Sequence, residues 1–331
     1  MTTGQAGFRT QARGLATTIA PDARELVVDL RSPWRYLPGD LAPFARSVMT
    51  SGSDPLAPPW PDLLISCGRR TAALSIAVRR ASGGKTVTVH VQDPLTRPSA
   101  FDLIVAMDHD PVSGPNVLKV PTALHDVTPG KLEVAAKAWR RRLSAPKQPL
   151  VGLMLGGPTR RQAFTPAQMQ GLIVGLTRLQ HETGARLAIT PSRRTPEEVR
   201  ALLATRFARD PQAWLWDGEG DNPYLGILAL ADRLVVTSDS VSMISEALAT
   251  SAPVEIFGPA GNARHAQFLG GLIERRLVRR FEGDPVAGPV GGPIDATGVA
   301  ADAVRRLLES RAKSDIRPIS RLTHGPRPSP G

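Results

Sequence analysis

The fold of this chain is decided by the stretch Leu234-Val-Val-Thr-Ser-Asp-Ser-Val-Ser-Met-Ile-Ser-Glu-Ala-Leu-Ala-Thr-Ser-Ala-Pro-Val-Glu-Ile-Phe257. An apolar segment typical of a buried strand leads through a hydroxyl-rich turn into a helix, and a second apolar segment follows. Such a turn leaves backbone N–H groups at the start of the helix, where a phosphate can bind. Glu246 lies about one and a half turns into the helix, within reach of a sugar hydroxyl. The stretch indicates either a nucleotide-sugar site or a plain strand–helix–strand unit.

Length and composition indicate a globular protein of about two domains. The chain has 331 residues, of which 41% are hydrophobic and 21% are charged, and these values exclude wholesale disorder. Aromatic residues make up 5%, whereas there are 30 glycines and 31 prolines. This composition favours many short turns between strands and helices over a helical bundle.

The charge balance predicts an anionic partner. The formal net charge is +11 and the sequence pI is about 10.8, which suits a nucleotide, an anionic lipid surface or nucleic acid. The basic residues are scattered as short pairs, and so few aromatic residues provide no stacking surface for bases. The predicted partners are therefore a nucleotide sugar and an anionic membrane surface, with no nucleic acid, and the oligomeric state is left open.

The cysteine content and the hydropathy of the sequence indicate the cellular compartment of the protein. Cys67 is the single cysteine, so neither an intramolecular disulfide nor a cysteine-based metal site can form. No apolar run reaches about 18 residues, and the first twenty residues lack a secretory apolar core. These features predict a cytoplasmic protein with no metal and no cofactor, with peripheral association at the inner membrane as an extension of that prediction.

Strand and helix signals alternate along both halves of the chain. In the second half, the strand Leu150–Leu155 precedes a helix that Thr165 and Pro166 begin and Gly184 ends. Further strands are predicted at 186–190 and 213–216, and helices begin at Pro196 and Pro223. In the first half, strands are predicted at 25–30, 62–66, 86–91 and 101–107, with a helix from Cys67-Gly to Arg80. The alternation predicts two facing, doubly wound, Rossmann-like α/β domains.

Composition places the domain limits. The first domain is predicted at 1–145 and the second at 150–275, with a loop and closing helix at 276–313 and a disordered tail at 314–331. Near the start, a glycine-containing turn at Thr3–Gln11 would normally follow a strand, yet only two or three residues precede it. Either that strand is a stub or it begins upstream.

Loops that follow predicted strands carry the candidate site residues, because ligands of open parallel sheets bind at the carboxyl ends of the strands. In the second half, a diphosphate would be approached by backbone glycines, by hydroxyls and by arginines, and the ribose by a carboxylate. These candidates are Gly156, Gly157, Ser192, Arg193, Arg194, Ser238, Ser240, Ser242 and Glu246. The alternatives are a tight turn for the glycines, solvated arginines, an exposed glutamate, and helix capping by one serine or, preferentially, by Asp239.

The first half supplies candidates for the acceptor. Asp93, at a strand end between Gln92 and Pro94, is the candidate general base, and its alternative is a turn-initiating Asp before Pro. The other acceptor-side candidates are Gly4, Gln5, Gly7, Gln11, Arg69, Gln92 and His109. His90 and Cys67 are interpreted as core side chains, and His109 has an exposed turn as its alternative.

Seven ordered motifs carry a family resemblance. They are Thr3-Gly-x-x-Gly-x-x-x-Gln11, Ile65-Ser-x-Gly-Arg-Arg-Thr-Ala72, His90-Val-Gln-Asp-Pro94, Phe101-Asp-Leu through Asp108-His-Asp110, Thr190-Pro-Ser-Arg-Arg-Thr195, Asn222-Pro-Tyr224 and Thr237-Ser-Asp-Ser-Val-Ser-Met-Ile-Ser-Glu246. From residue 2 to about 275, the chain resembles the bacterial branch of the mitochondrial-fission "elongated mitochondria" proteins. The resemblance implies a fold like that of GT-B glycosyltransferases and implies little about chemistry.

The second half is also similar to the peptidoglycan glycosyltransferase that adds N-acetylglucosamine to a lipid-linked precursor. In that enzyme a helix-borne glutamate holds the ribose, and Glu246 matches it. The first loop departs from that pattern, because this chain has Gln5 and no histidine between residues 1 and 20. Identical acceptor chemistry is therefore not expected.

Three functions follow from these observations as hypotheses. The first is a metal-independent glycosyltransferase whose second domain binds a nucleotide-diphosphate sugar and whose acceptor is lipid-linked or an envelope glycan. The second is a non-catalytic scaffold of the same fold at the cell envelope. The third is a nucleotide-sugar epimerase, which needs no acceptor.

Overall fold

A computed structural model describes residues 1–36, 48–159, 164–289 and 291–315. The chain forms two parallel β-sheets flanked by helices, as the strand–helix alternation predicts. Because every strand of both sheets is parallel to its neighbours, the carboxyl ends of each sheet lie along a single edge.

The first sheet has four strands in sequential order. Its members are β1 (Leu63–Cys67), β2 (Val87–Val91), β3 (Leu103–Met107) and β4 (Val117–Val120). β2 is buried along its whole length, and the Nδ1 atom of His90 lies 2.9 Å from the Ser66 hydroxyl on β1. Burial lowers the pKa of His90 to about 3 and raises the pKa of the Cys67 thiol to about 12. The interpretation of both as core side chains is consistent with this placement.

The first residues extend this sheet. The Met1 ammonium donates to the Ile65 carbonyl at 2.7 Å, and Thr2 forms a parallel bridge to Val27. The strand predicted at 25–30 is reduced to isolated bridges, this one and an antiparallel one between Leu30 and Met49. The turn then leads into α1 (Ala6–Ile19), whose Phe8 ring lies over Gly68.

The second sheet has six strands in the order β10-β9-β8-β5-β6-β7. Its members are β5 (Leu150–Leu155), β6 (Arg186–Pro191), β7 (Ala213–Leu215), β8 (Arg233–Thr237), β9 (Val254–Phe257) and β10 (Arg279–Arg280). The flanking helices are α4 (Pro166–Thr183), α5 (Glu197–Phe207), α6 (Tyr224–Leu230), α7 (Val241–Ala247) and α8 (Ala263–Glu274). α4 begins with a capping box between Thr165 and Gln168 and ends at Gly184 in the left-handed conformation, as its cap residues predict.

Two helices cross between the halves. α3 (Pro129–Leu143) precedes the second sheet, and its Trp139 and Leu143 join the core beside α6. α9 (Ala296–Asp315) returns to the first sheet, where Ala300 and Val304 pack with Leu15 of α1. α9 is the predicted closing helix. Most of the predicted tail, residues 316–331, lies outside the described residues. The residue limits of the two domains stay a prediction.

The β4 strand and helix α3 were not among the elements expected from the sequence. β4 is four residues long and contains Lys119, so its apolar pattern is weak. α3 buries only Ala135, Trp139 and Leu143, and it presents Arg140–Arg142 at its end. No described helix is both long enough and apolar enough to span a bilayer.

The packing of α3 on α6 predicts unequal effects for two glycine substitutions. A methyl group at Gly226 would lie 2.6 Å from Trp139 Cδ1, so Gly226→Ala should lower the free energy of unfolding by about 1–3 kcal/mol. Gly171, inside α4, has open space around it, so Gly171→Ala should raise that free energy by about 0.5–1 kcal/mol. Urea denaturation of both variants measures this, and equal effects would contradict the close packing of the two helices.

Candidate functional site

The carboxyl-terminal edges of the two sheets face each other. The backbone N–H of Ala123, after β4, donates to the Ser245 hydroxyl of α7 at 3.0 Å. Asp108, after β3, pairs with Arg275 of α8 at 2.6 Å. The loops of the first sheet thus contact the helices that follow β8 and β9, and we call the boundary between these two edges the cleft.

A buried carboxylate organises the second side of this cleft. The Asp239 side chain is fully buried and accepts hydrogen bonds from the Gly157 N–H at 3.0 Å and from the Thr237 hydroxyl at 2.7 Å. It also pairs with the Arg194 guanidinium at 2.8 Å. The Thr237 hydroxyl in turn accepts from the Gly156 N–H at 2.8 Å. Loops after β5, β6 and β8 are therefore joined at one point, which we call the Asp239 junction.

Both glycines of the Gly156-Gly157 pair are required by this packing. A Cβ atom at Gly156 would overlap the Asp239 carboxylate, and one at Gly157 would overlap the Arg194 carbonyl. Their N–H groups already donate to Thr237 and Asp239. Their role in this structure is therefore to admit Asp239 and Arg194 at close range, and both the tight-turn interpretation and contact with a diphosphate stay predictions.

The hydroxyls of neighbouring loops are similarly engaged. The Ser192 hydroxyl donates to the Gly156 carbonyl at 2.8 Å and accepts from the Arg194 N–H. The Ser238 hydroxyl donates to the Pro259 carbonyl at 2.6 Å. Ser240 is the N-cap of α7, since its side chain accepts from the Met243 N–H at 3.3 Å. The preference for Asp239 as the capping residue is wrong, because its carboxylate is turned into the junction.

Three predicted donor-side residues remain on the cleft. Arg193 is exposed, and among the described residues no hydrogen bond or ion pair engages its guanidinium. Ser242 faces the first domain, where a Cβ at Gly7 would lie 3.6 Å from its hydroxyl. Glu246 lies one turn further along α7 and is half-buried.

Glu246 is held by a tyrosine. The Tyr224 hydroxyl donates a hydrogen bond to Glu246 Oε2, and within the described residues no group donates to Oε1. Burial raises the pKa of Glu246 to about 7, the Tyr224 hydrogen bond opposes the rise, and the Asp126 carboxylate adds to it. Tyr224 itself is fixed by Asn222, whose side chain accepts from the Tyr224 N–H at 2.9 Å. The Asn222-Pro-Tyr224 motif thus orients the Glu246 carboxyl group.

On the first side of the cleft, Asp93 is nearly buried, and its Oδ1 accepts from the Leu95 N–H at 2.8 Å. This is the turn role that its position before Pro94 predicts. Gln92 adopts a positive φ of 79°, and its side-chain amide donates to Gln11 of α1 at 3.3 Å. α1 and the β2 loop are therefore joined beside Asp93.

The remaining first-half candidates lie around this point or away from it. Gly4 has a φ of 80°, and Gln5 occupies the N-cap position of α1 without a side-chain cap. Arg69 donates to the Tyr36 carbonyl at 2.8 Å, on the exposed side of α2 (Arg69–Ala81). His109 is not exposed, contrary to its alternative as an exposed turn residue, because its ring lies 5.4 Å from Phe268 of α8.

His109 belongs to an inter-domain contact. Asp110, which is buried, lies 3.5 Å from the His109 ring and forms an ion pair with Arg264 of α8. A cavity of about 350 Å³ lies beside it and is lined by Asp108, His109, Phe268 and Arg275. Desolvation lowers the pKa of His109, and the nearby carboxylates oppose this change.

Sequence reasoning missed three polar residues of the cleft. Asp126 acts on Glu246 from the segment after β4, and His265 of α8 accepts from the Gly261 N–H at 3.0 Å. Tyr224 was part of a quoted motif without an assigned role. Asn222 before Pro223 was a usable signal, since an Asn side chain in this place commonly caps a following N–H. Within the described residues, no group of three or more His, Cys, Asp or Glu side chains is placed to hold a metal ion.

The Asp239 junction predicts a stability difference between two aspartates. Asp239→Ala leaves the Gly157 N–H and the Thr237 hydroxyl without their buried acceptor, so the free energy of unfolding should fall by about 2 kcal/mol. The control is Asp302→Ala, which removes an exposed pair with Arg305 and should change it by less than about 0.5 kcal/mol. Guanidinium denaturation compares them, and a neutral Asp239 variant would contradict the junction.

The raised pKa of Glu246 predicts a pH-dependent stability. In the folded protein the Glu246 carboxyl keeps its proton to a higher pH than its ordinary pKa of 4.5. Its contribution to stability is therefore full below pH 4.5 and is lost as the pH rises through about 7. Relative to Glu246→Gln, the wild type should lose on the order of 3 kcal/mol over this range. Urea denaturation at pH 4.5 to 8 measures the difference in the free energy of unfolding between the wild type and Glu246→Gln. The titrations of Met1 and His90 occur in both proteins and cancel in this difference. Parallel curves of stability against pH would contradict the raised pKa of Glu246.

One protein-family model and two relatives match this chain over most of its length. The model of the family described as Mitochondrial fission ELM1 matches residues 6–308. Mitochondrial fission protein ELM1 of Arabidopsis thaliana is 31% identical over 281 residues, which are 77% of this chain and 65% of the plant protein. An uncharacterized protein of Rickettsia prowazekii is 25% identical over 260 residues, covering 67% of this chain and 72% of that one. The chain therefore spans 65% of the plant relative's length.

One solved structure shares the fold class at a TM-score of 0.50. The candidate UDP-N-acetylglucosamine 2-epimerase of Listeria monocytogenes has a TM-score of 0.50 at 13% identity, over 80% of this chain and 78% of that one. UDP-GlcNAc 2-epimerase of Methanocaldococcus jannaschii, in complex with UDP-GlcNAc and UDP, has a TM-score of 0.45 at 12% identity, over 74% and 76%. The catalytic domain of Arabidopsis starch synthase IV, bound to ADP and acarbose, has a TM-score of 0.41 at 12% identity, over 76% and 73%.

The fold is thus the two-domain, GT-B-like α/β fold that the motifs led us to expect. Seven motifs, the family model across residues 6–308 and the plant relative agree on the lineage. The chain belongs to the mitochondrial fission ELM1 family.

Proposed function

We propose that this protein is a glycosyltransferase that binds a nucleotide-diphosphate sugar on the second-domain side of the cleft and its acceptor on the first-domain side. The observation that carries the proposal is the Glu246 carboxyl group. It lies on α7 facing the cleft, the Tyr224 hydroxyl fixes Oε2, and Oε1 has no donor among the described residues. The shared fold supports the proposal as an analogy only.

The chemistry of Glu246 suits a ribose. A carboxylate accepts hydrogen bonds and donates none, so vicinal sugar hydroxyls are natural donors to its open oxygen. Partial burial strengthens such charge-assisted bonds, and the fixed Oε2 reduces the cost of ordering the side chain. Because the pKa of Glu246 is raised to about 7, nucleotide binding should be stronger at pH 8 than at pH 6.

Arg193 supplies positive charge for the diphosphate, and Arg194, whose own charge is paired with Asp239, holds the loop that carries it. Arg194 is anchored to Asp239 and to the Gly157 carbonyl at 3.0 Å, and Arg193 is exposed beside it. Guanidinium groups neutralise the charge that develops on a departing diphosphate, which is the task of a metal ion in other enzymes of this reaction class. This is the basis for proposing transfer without a metal ion.

Asp93 is the proposed general base for the acceptor hydroxyl. Its Oδ1 accepts from Leu95, and among the described residues Oδ2 has no donor. Asp93→Asn keeps an oxygen for the turn and removes the basic charge, so turnover should fall by at least about 100-fold while nucleotide binding is unchanged. Single-turnover assays with the identified donor measure this, and unchanged turnover would remove Asp93 from the mechanism.

One observation favours a non-catalytic scaffold as the second candidate. The Gly156 and Gly157 N–H groups and the Ser192, Ser238 and Ser240 hydroxyls are all engaged inside the protein. A diphosphate would therefore meet fewer free donors here than the sequence suggested. In this alternative the chain keeps the fold and recruits partners at the envelope.

A thermal-shift screen against uridine, guanosine, cytidine and adenosine diphosphates and their sugar conjugates tests the proposal. A ligand that binds the folded state raises the melting temperature by mass action. We expect stabilisation by one base, its loss in Glu246→Gln, and its retention in Glu198→Gln, an exposed control on α5. A matching fall of the shift in Arg193→Ala would support the diphosphate role.

The outcomes separate the functions. No shift at about millimolar ligand, where even weak sites fill, would leave the scaffold. Binding followed by conversion of the sugar without any acceptor, seen by product analysis, would replace transfer with epimerisation. Binding with acceptor-dependent release of the diphosphate would support the glycosyltransferase.

A further inference from the structure

A second cavity lies outside the cleft, in the first domain. Its volume is about 650 Å³, within the range of small-molecule sites. It lies between helix α1, the turn at Ala20–Leu26 and the proline-rich segment Pro55–Pro61, and β1 forms its floor. We call it the α1 cavity, and neither the proposed donor site nor the proposed base faces it.

The walls of the α1 cavity are mainly aliphatic. Ala12 and Ala16 of α1 lie one helical turn apart and leave space that larger side chains would fill. Leu26, Leu56 and Ile65 supply the facing surfaces. Such walls match a hydrocarbon chain, since burial of each methylene removes apolar area from water.

The rim of the α1 cavity carries three arginines, of which Arg24 is unpaired among the described residues. Arg9 is neutralised by Glu25 at 2.5 Å, and Arg13 is 62% exposed at 3.8 Å from Asp126. Arg24 is exposed on the turn, and within the described residues no ion pair or hydrogen bond engages it. With Asp22 as the other acidic residue of the rim and Asp126 beside Arg13, three arginines face three carboxylates, and the Arg24 guanidinium is the one that no described residue pairs. Positive charge beside an apolar chamber complements an anionic head group on an apolar chain.

We propose that the α1 cavity binds a single-chain anionic amphiphile, with its hydrocarbon chain between α1 and the proline-rich segment and its carboxylate or phosphate head at Arg24 and Arg13. A free long-chain carboxylate and the phosphate of a lipid share this chemistry. The site goes beyond the proposed nucleotide-sugar function and requires no nucleotide.

Displacement of a fluorescent long-chain carboxylate, cis-parinaric acid, from the full chain tests the ligand class. The competitors are dodecanoate, dodecyl phosphate and dodecanol, each below its aggregation limit. Both anions should displace the probe, and dodecanol should be weaker by at least about threefold because it lacks the charge that the rim attracts. The tighter of the two anions identifies the source, and equal displacement by dodecanol would overturn the role of the rim.

Two variants with matched controls locate the ligand. Ala16→Trp fills the cavity and should weaken probe binding at least about 10-fold, whereas Ala201→Trp, on the exposed face of α5, should not. Arg24→Ala should weaken the anions about threefold and leave dodecanol unchanged, with Arg209→Ala as the exposed control. Binding to Ala16→Trp within about twofold of the wild type would overturn the proposal.

Photo-crosslinking of the wild type provides a test that does not depend on the folding of a variant. A long-chain carboxylate with a diazirine near its chain end should label peptides within residues 12–26 or 55–65. Labelling confined to other peptides would overturn the assignment. Because no nucleotide is present in these measurements, failure of the nucleotide screen and failure of this proposal are distinguishable.

Discussion

The buried carboxylate of Asp239 is the constraint on which the second side of the cleft depends. Removing a charged group from water costs on the order of several kcal/mol unless the group is paired and hydrogen-bonded. Here the Gly157 N–H, the Thr237 hydroxyl and the Arg194 guanidinium meet it together. Loops from three neighbouring strands are therefore fixed relative to one another, and the glycine pair is required because the carboxylate lies where a Cβ atom would project.

This constraint determines which polar groups are left for a ligand. Loops that are rich in glycine and hydroxyl residues predict a phosphate site. In this structure, however, most of their N–H and hydroxyl groups donate hydrogen bonds within the protein. Arg193, Ser242 and Glu246 remain, and of these Glu246 and Arg193 differ most from plain surface residues. The carboxyl group of Glu246 is half-buried with one oxygen fixed by Tyr224, and Arg193 adjoins an arginine that the Asp239 junction anchors. The functional proposal therefore depends on these two side chains more than on the loop composition.

The sequence predicted the backbone of this protein better than its side-chain partners. Leu150–Leu155 and the capped helix that begins at Pro166 were predicted because their signals are local: an apolar run, and cap residues at each end. The pairing of Asp239 with Arg194 was not predicted, because the two residues lie 45 positions apart in the sequence and only the parallel sheet brings them together. The strand expected at 25–30 failed for a related reason, because its apolar residues pack in the core without a continuous ladder.

Helix α1 links the two regions that we propose to bind ligands. Leu15 anchors the helix in the first-domain core, Gly7 lies against Ser242 of α7, and Ala16 lines the α1 cavity. At 1.5 Å of rise per residue, Gly7 and Ala16 are about 13 Å apart along the axis. Helix α1 is therefore an element that the cleft and the α1 cavity share, so the geometry of both depends on how this helix packs in the first-domain core.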